Sequence, residues 1–343
     1  MDAVELFDRA CLRECMLHDT MPTLVPDIDG ADPMAAALLI ECRGRSAEDL
    51  AESIKEVTGV LQEGNIRFGN RANSLKSLDA YPFTEDVEVY TTYWDVRKGL
   101  IPMVGAARET GTSMLIEDVA CPVHNLAPMT ADLIEMFQRY GYNDACCLGH
   151  ALEGNLHLIF SQGFRNKDEV QRFSDMMSEM CYIVATKYSG SLKGEHGTGR
   201  NVASFVEMEW GTKAYELMWE LKALFDPANI LNPGVVLNRD SSSHLKFLKP
   251  SPPASEIVDR CIECGFCESN CPSRDLSLTP RQRITVFREI NRLRRLPNKS
   301  PQEQDRLKEF EELFEYQGEQ TCAADGMCQE KCPVKINTGE LIK

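Results

Sequence analysis

The residues best suited to chemistry in this chain of 343 are cysteines towards its C-terminal end. Cys261-x2-Cys264-x2-Cys267-x3-Cys271-Pro272 has the spacing at which three thiolates wrap one cubane iron–sulfur cluster and a fourth reaches a second cluster. A second motif follows: Cys322, Cys328 and Cys332-Pro333 keep the same frame, with Asp325 where another cysteine would stand. The crossed pattern assigns Cys261, Cys264, Cys267 and Cys332 to one cluster, and Cys271, Cys322, Cys328 and Asp325 to the other. A carboxylate is a harder ligand than a thiolate, so the second centre reads as an aspartate-ligated four-iron cluster or a three-iron one. Asp325 also reads as a simple turn residue in Asp-Gly. Zinc is the rival metal, but structural zinc sites rarely use cysteines at x2 intervals closed by Cys-Pro.

A second constellation is built on histidine and glycine. Gly149-His150-Ala151-Leu152-Glu153-Gly154-Asn155-Leu156-His157 and Gly194-Glu195-His196-Gly197-Thr198-Gly199-Arg200 hold three of the six histidines of the chain. Glycines allow close backbone approach and positive φ, as needed where a loop lies against a cofactor. Two imidazoles and a carboxylate with one open position make a catalytic metal set, and a further histidine supplies a general base. Singly, each histidine reads as structural.

Those residues must be positioned by alternating elements over 1–237. Strands are expected at 35–42, 87–92, 113–119, 144–152 and 155–162, and helices at 46–61, 96–110, 130–140 and 166–188. The last helix opens on an Asn166/Glu169 capping box. The turn at Glu153-Gly154 is too short for a parallel crossover, so the fold class is α+β with an antiparallel sheet and helices. Residues 238–256 carry Ser241-Ser242-Ser243, Pro250, Pro252 and Pro253 and read as a linker. A small all-α iron–sulfur domain occupies 257–343, with helices opened by Thr279-Pro280/Gln282 and Ser300-Pro301/Glu303 boxes. Arg281, Arg283, Arg288, Arg292, Arg294 and Arg295 make this segment basic. A solvated helix face accounts for them; docking an acidic partner or offsetting anionic clusters is the other reading.

Composition narrows the function. The 37 basic and 53 acidic residues leave a net charge of −16, which argues against nucleic acid and against a polybasic membrane anchor. The start has no basic n-region and the longest apolar run, Met34–Ile40, is short, so no signal peptide or transmembrane helix is expected. Clustered cysteines in a cytoplasmic chain point to ligation rather than disulfides. Cys11, Cys15, Cys42, Cys146, Cys147 and Cys181 read as small buried hydrophobes and Cys121 has no assigned role. His18 and His124 read as structural, and the Met and Phe residues of 173–180 and 205–225 as core.

The two glycine-histidine segments, with Phe225-Asp226-Pro227…Leu231-Asn232-Pro233-Gly234, resemble the C-terminal substrate domain of FAD-linked oxidases. The resemblance is to the D-lactate and D-2-hydroxyglutarate dehydrogenase type, in the version fused to a two-cluster ferredoxin domain, and it covers essentially the whole chain. It implies an FAD enzyme oxidising a D-2-hydroxy acid, with D-lactate, D-2-hydroxyglutarate and glycolate as candidate substrates. Electrons would pass through both clusters to a redox domain, a quinone or an electron-transfer protein. It also implies a divalent metal, zinc or similar, on His150, His157 and Glu195, with His196 as base. Arg97, in Trp94-Asp95-Val96-Arg97-Lys98, matches a carboxylate-binding arginine; a surface helix charge is its bland reading. Asn232 lies in a motif that contacts flavin in relatives, and Asn-Pro-Gly is equally a good turn.

The long spacer between the cysteine motifs resembles the helical ferredoxin modules of respiratory iron–sulfur subunits. Departures from the family pattern are Glu153 for an aspartate, Ile159 for an asparagine, and no clear counterpart of a lysine near Glu117-Asp118. Relatives bind most of FAD with a preceding domain. The chain therefore reads as the middle of a larger protein, or a subunit partnered by an FAD-binding one, cytoplasmic or peripheral at the inner membrane face. The rival class is a non-catalytic electron-transfer or docking subunit, against which the histidine–glutamate set argues.

Overall fold

A computed structural model describes residues 1–15, 34–64 and 83–342; His18 lies outside these. Compact packing divides the chain into two units. The first comprises 1–100, 115–160 and 170–248; the second comprises 101–114, 161–169 and 249–343.

The sheet has five strands in the order β2-β1-β4-β5-β3: β1 Ala3–Asp8, β2 Ala36–Glu41, β3 Ser113–Ala120, β4 Cys146–His150 and β5 Asn155–Gln162. Pairings β1–β2, β1–β4 and β4–β5 are antiparallel, the last as the short turn at Gly154 demands. Strands β4 and β5 are buried almost throughout, which is why Cys146-Cys147-Leu148 and Leu156–Phe160 carry little polar alternation. Phe160 packs against Phe137 and Tyr142 with ring centroids 5.4 and 5.3 Å away. Helices α4 (Leu126–Arg139) and α5 (Lys167–Cys181) bury Leu133, Met136, Phe173, Met176, Met177 and Met180.

The opening strand β1 and helix α1 (Arg9–Cys15) have no counterpart in the sequence expectations. Asp8 joins them: its carboxylate accepts the N–H of Cys11 (2.8 Å) and of Cys147 (2.9 Å), while the Cys11 thiol donates to the Cys147 carbonyl. Cys11, Cys121, Cys146, Cys147 and Cys181 are buried and Cys42 is half-buried.

The strand expected at 87–92 is a correction. Val87–Ala107 is one helix, α3, with Pro102 inside it. Val87, Val89, Thr91 and Thr92 favour a strand, but Asp86 Oδ1 accepts the N–H of Glu88 and Val89, and so starts a helix. Val96, Leu100 and Val104 recur at helical spacing and are buried, so packing overrides local preference. α2 (Ala47–Glu63) follows Ser46 as expected, with the Ser46 hydroxyl accepting the Asp49 N–H. The helix expected over 166–188 is α5 followed by a wider π turn, Tyr182–Lys187. Asn166 caps it, whereas the Glu169 carboxylate turns to the Arg165 N–H and guanidinium.

Beyond the short α6 (Gly199–Val202), α7 (Val206–Phe225) is kinked at Gly211, φ 76°. Of the Met and Phe residues expected in the core over 205–225, Phe205 is buried, whereas Met208 and Phe225 are exposed. In 238–256, the turn Ser243–Leu245 buries His244, whose ring lies 5.0 Å from that of Phe205. In the second unit α8 (Pro280–Arg295) and α9 (Pro301–Phe314) both begin with complete capping boxes, and α10 (Met327–Lys331) follows.

Candidate active site and cluster-binding loops

Strand register builds the histidine pair. Leu148 stands opposite His157 across β4–β5, so His150, two residues on, is the diagonal neighbour of His157 on the same face. Glu5 is the direct partner of His150 across β1–β4. The turn between the histidines needs glycine at 154: φ is 70°, and a Cβ there would run into the Cys121 carbonyl.

Glu195 and His196 arrive on a loop docked at the end of β3. Ala120 and Ser191 exchange backbone hydrogen bonds, and the Gly194 N–H donates to the Asp118 carbonyl (3.2 Å). Any Cβ at Gly194 would strike Asn155 Nδ2 and Asp118 Oδ1, so only glycine lets the loop come this close. Asp118, fully buried, then accepts the backbone N–H of both Glu195 and His196 at 2.7 Å through Oδ2, and Asn155 Nδ2 through Oδ1 at 2.6 Å. Burial alone would push its carboxyl up. The Asn155 amide and the two backbone N–H groups outweigh burial and hold it below the usual aspartate range.

The result is a convergent donor set. His150 Nε2 and His157 Nε2 each lie 3.2 Å from Glu195 Oε1. His196 Nε2 lies 3.7 Å from the same oxygen, and its ring stacks on that of His157 with centroids 4.9 Å apart. The other nitrogen of each of these two histidines faces a carboxylate: His150 Nδ1 is 2.7 Å from Glu5 Oε1, and His157 Nδ1 is 3.6 Å from Asp118 Oδ1. An imidazole that turns Nδ1–H to a carboxylate leaves the Nε2 lone pair bare for a cation. Burial lowers the His157 pKa, against the opposing pull of Asp118, which favours the neutral form that coordinates. Glu195 and His196 are half exposed, so one side of the set is open. These residues fit a divalent cation.

Four of the cysteines meet around one space. One cavity is lined by Cys261, Cys264, Cys267 and Cys332, with Ile284, Ile336, Pro333 and Val334 among its walls. Burial, then the nearby Cys261, Cys332 and Cys264, push the Cys267 thiol up to about 12. A thiol so shifted ionises readily only beside a cationic centre, so the set fits a cluster. Cys271 and Cys328 are buried and Cys322 is half-buried. Two of the basic residues are not on a solvated face. Arg288 donates to the carbonyls of Val258, Asp259 and Cys261, and Arg283 is 1% exposed with Nη1 3.6 Å from Cys271 Sγ.

Sequence comparison matches the C-terminal domain of FAD linked oxidases to residues 1–236, and a 4Fe-4S dicluster domain to residues 257–336. The chain belongs to the FAD-linked oxidases. It is 35% identical over 206 residues to the glycolate oxidase subunit GlcD of Bacillus subtilis, covering 60% of this chain and 40% of that protein. It is 24% identical to the D-2-hydroxyglutarate dehydrogenase of Haemophilus influenzae, over 90% of this chain and 34% of the relative. To the D-lactate dehydrogenase of Anaerostipes hadrus it is 26% identical, over 61% and 41%. This FAD-linked oxidase chain thus spans between about a third and two-fifths of the length of these relatives.

Other expected site residues of this FAD-linked oxidase fall as follows. Arg97 is no surface charge: it is 9% exposed, with Nε 2.7 Å from Glu5 Oε2. Asn232 is exposed on a turn, with φ 47°. Asp325 is exposed, and its Oδ1 accepts the Met327 N–H (3.1 Å) at the start of α10, the geometry of a turn. A lysine does approach Glu117: Lys193 Nζ is 2.8 Å from Glu117 Oε2, supplied by the docked loop rather than by the strand. Glu5, Asp118 and Asn155 went unassigned; the signal for the first two is an acid placed inside the apolar runs Val4–Phe7 and Leu115–Val119. Among the described residues no helix is long and apolar enough to cross a membrane.

Proposed function

We propose that this chain is the substrate-binding and electron-output part of an FAD-dependent dehydrogenase acting on a D-2-hydroxy acid. Residues 1–237 bind the substrate, 238–256 connect, and 257–343 carry the clusters that pass electrons to a downstream acceptor. The observation that carries the reading is the convergence of His150 Nε2 and His157 Nε2 on one oxygen of Glu195, each histidine backed by a buried carboxylate.

In this reading His150, His157 and Glu195 hold a divalent cation. A bound cation would supply the charge that lowers the substrate hydroxyl's pKa, and bound FAD would supply the hydride acceptor. His196 takes the hydroxyl proton at Nε2, the nitrogen nearest Glu195. Asp118 fixes the loop bearing His196 through its backbone N–H and lies 3.7 Å from Nδ1, so the imidazolium that forms faces a carboxylate. Arg97 stands one residue, Glu5, away from His150 and supplies positive charge for the substrate carboxylate.

The test is substrate-driven bleaching of flavin in the complete enzyme. Removing the divalent metal with a chelator should abolish it and metal addition restore it. Unimpaired flavin reduction after chelation, with metal absent by elemental analysis, would sink the assignment.

A further inference from the structure

Helix α8 carries a buried arginine whose charge no carboxylate answers. Arg281, Arg288, Arg292 and Arg294 pair with Glu268, Glu263, Glu289 and Glu311. Arg295 donates to the Pro253 carbonyl near the surface. Arg283 is the most buried of the six and, among the described residues, forms no ion pair. Its Nε donates to the Gly318 carbonyl (2.7 Å), its Nη2 lies 3.5 Å from Thr321 Oγ1, and its Nη1 lies 3.6 Å from Cys271 Sγ.

A guanidinium stays protonated in proteins, and leaving it buried without a counter-charge is strongly unfavourable. Neutral carbonyl and hydroxyl oxygens satisfy its donors but not its charge. The one partner able to become anionic is Cys271, and it does so when its sulfur ligates iron. Arg283 also spans the two sequence-distant parts of that centre. It holds the segment 318–321 that leads into Cys322 while touching Cys271, and Ser273 and Ser277 tie the same segment through Thr321.

We propose that Arg283 sets the reduction potential of the cluster held by Cys271, Cys322 and Cys328. Reduction adds one electron to that cluster and neither makes nor breaks a bond. A fixed cation and an N–H donor on the ligand sulfur stabilise the added charge, so Arg283 raises the potential. Arg288 acts differently: its donors go to backbone carbonyls, and Glu263 offsets its charge. Arg283 is a positioning and electrostatic residue, not a ligand. The inference rests on the two-cluster reading of 257–343.

The experiment is an EPR-monitored redox titration of the full chain, reconstituted anaerobically with iron and sulfide, as wild type, Arg283→Met and Arg283→Lys. The signal altered by Cys322→Ser and untouched by Cys264→Ser marks the Cys271-side cluster. Arg283→Met should shift that midpoint to more negative potential and leave the other in place, with Arg283→Lys showing a smaller shift. Unchanged midpoints, or an equal shift of both, overturn the proposal. If Arg283→Met fails to hold the Cys271-side cluster, rescue of loading by Arg283→Lys supports a charge requirement; failure of both variants to load it means that shape alone matters and overturns it. A wild-type chain that does not take up two clusters refutes the two-cluster reading instead.

Discussion

Glu5 stands directly opposite His150 across the β1–β4 ladder and receives His150 Nδ1 on one carboxylate oxygen and Arg97 Nε on the other, both at 2.7 Å. A buried carboxylate thus fixes the direction of one imidazole and the place of one arginine at once. Removing its charge leaves both partners without their anchor.

Glu5→Gln should therefore weaken divalent-metal binding by roughly 10–100-fold, the usual cost of losing the carboxylate behind a ligand histidine. A competition titration against a chromophoric zinc chelator measures it. Unchanged affinity would show that His150 needs no such partner.

His196 is the histidine that the donor set does not require. His196→Ala should leave metal stoichiometry intact while lowering the rate of substrate-driven flavin reduction in the complete enzyme by about 10²–10⁴-fold, the range for a general base. Loss of metal together with rate would make it a ligand and not a base. A rate within a factor of two of wild type would remove it from the chemistry.

Asp325 Oδ1 accepts the Met327 N–H. Replacing it by cysteine completes a four-thiolate set with Cys271, Cys322 and Cys328. Asp325→Cys should raise the iron content of the reconstituted chain and strengthen the four-iron EPR signal of the second centre. Identical iron content with an altered four-iron signal would mean that the carboxylate already serves as the fourth ligand.

Asp226 makes the turn after α7. Lys222 first, then the N–H groups of Leu231 and Ile230, hold its carboxyl down to about 2, below the roughly 3.9 of an unfolded chain. A depressed folded pKa stabilises above the unfolded value and is lost as pH falls through the folded one. The denaturant midpoint of the wild type should exceed that of Asp226→Asn fully above about pH 4. The gap should close as pH falls towards 2. A constant gap over that range would show that the carboxylate's charge is not what holds the turn.

The chemistry-bearing residues were legible because their spacing is local: the cysteine frames, His150 and His157 around one tight turn, and Glu195-His196 between glycines. What supports them was not. Glu5 and Asp118 act across strand pairings set by tertiary register, and nothing next to either residue in the chain marks its partner. Val87–Thr92 reads as a strand from its side chains, but an Asp86 cap and the buried stripe Val96, Leu100 and Val104 make it helix. The basic stretch of α8 reads as one surface because composition cannot tell Arg283, turned inward to Cys271, from Arg294, paired on the outside with Glu311. The Thr279/Gln282 and Ser300/Glu303 capping boxes were fully legible, being contacts between residues three apart.

The cavity shared by Cys261, Cys264, Cys267 and Cys332 has a bearing on biogenesis. During translation the first three cysteines leave the ribosome well before the fourth, by on the order of several seconds at roughly 5–20 residues per second. Throughout that interval they form an open, oxygen-sensitive half-site. Maturation machinery that delivered iron and sulfide before Cys332 emerged would be acting too early. Assembly must wait until Cys332 has emerged, and a ribosome stalled between the two motifs yields a product in which neither centre can be completed.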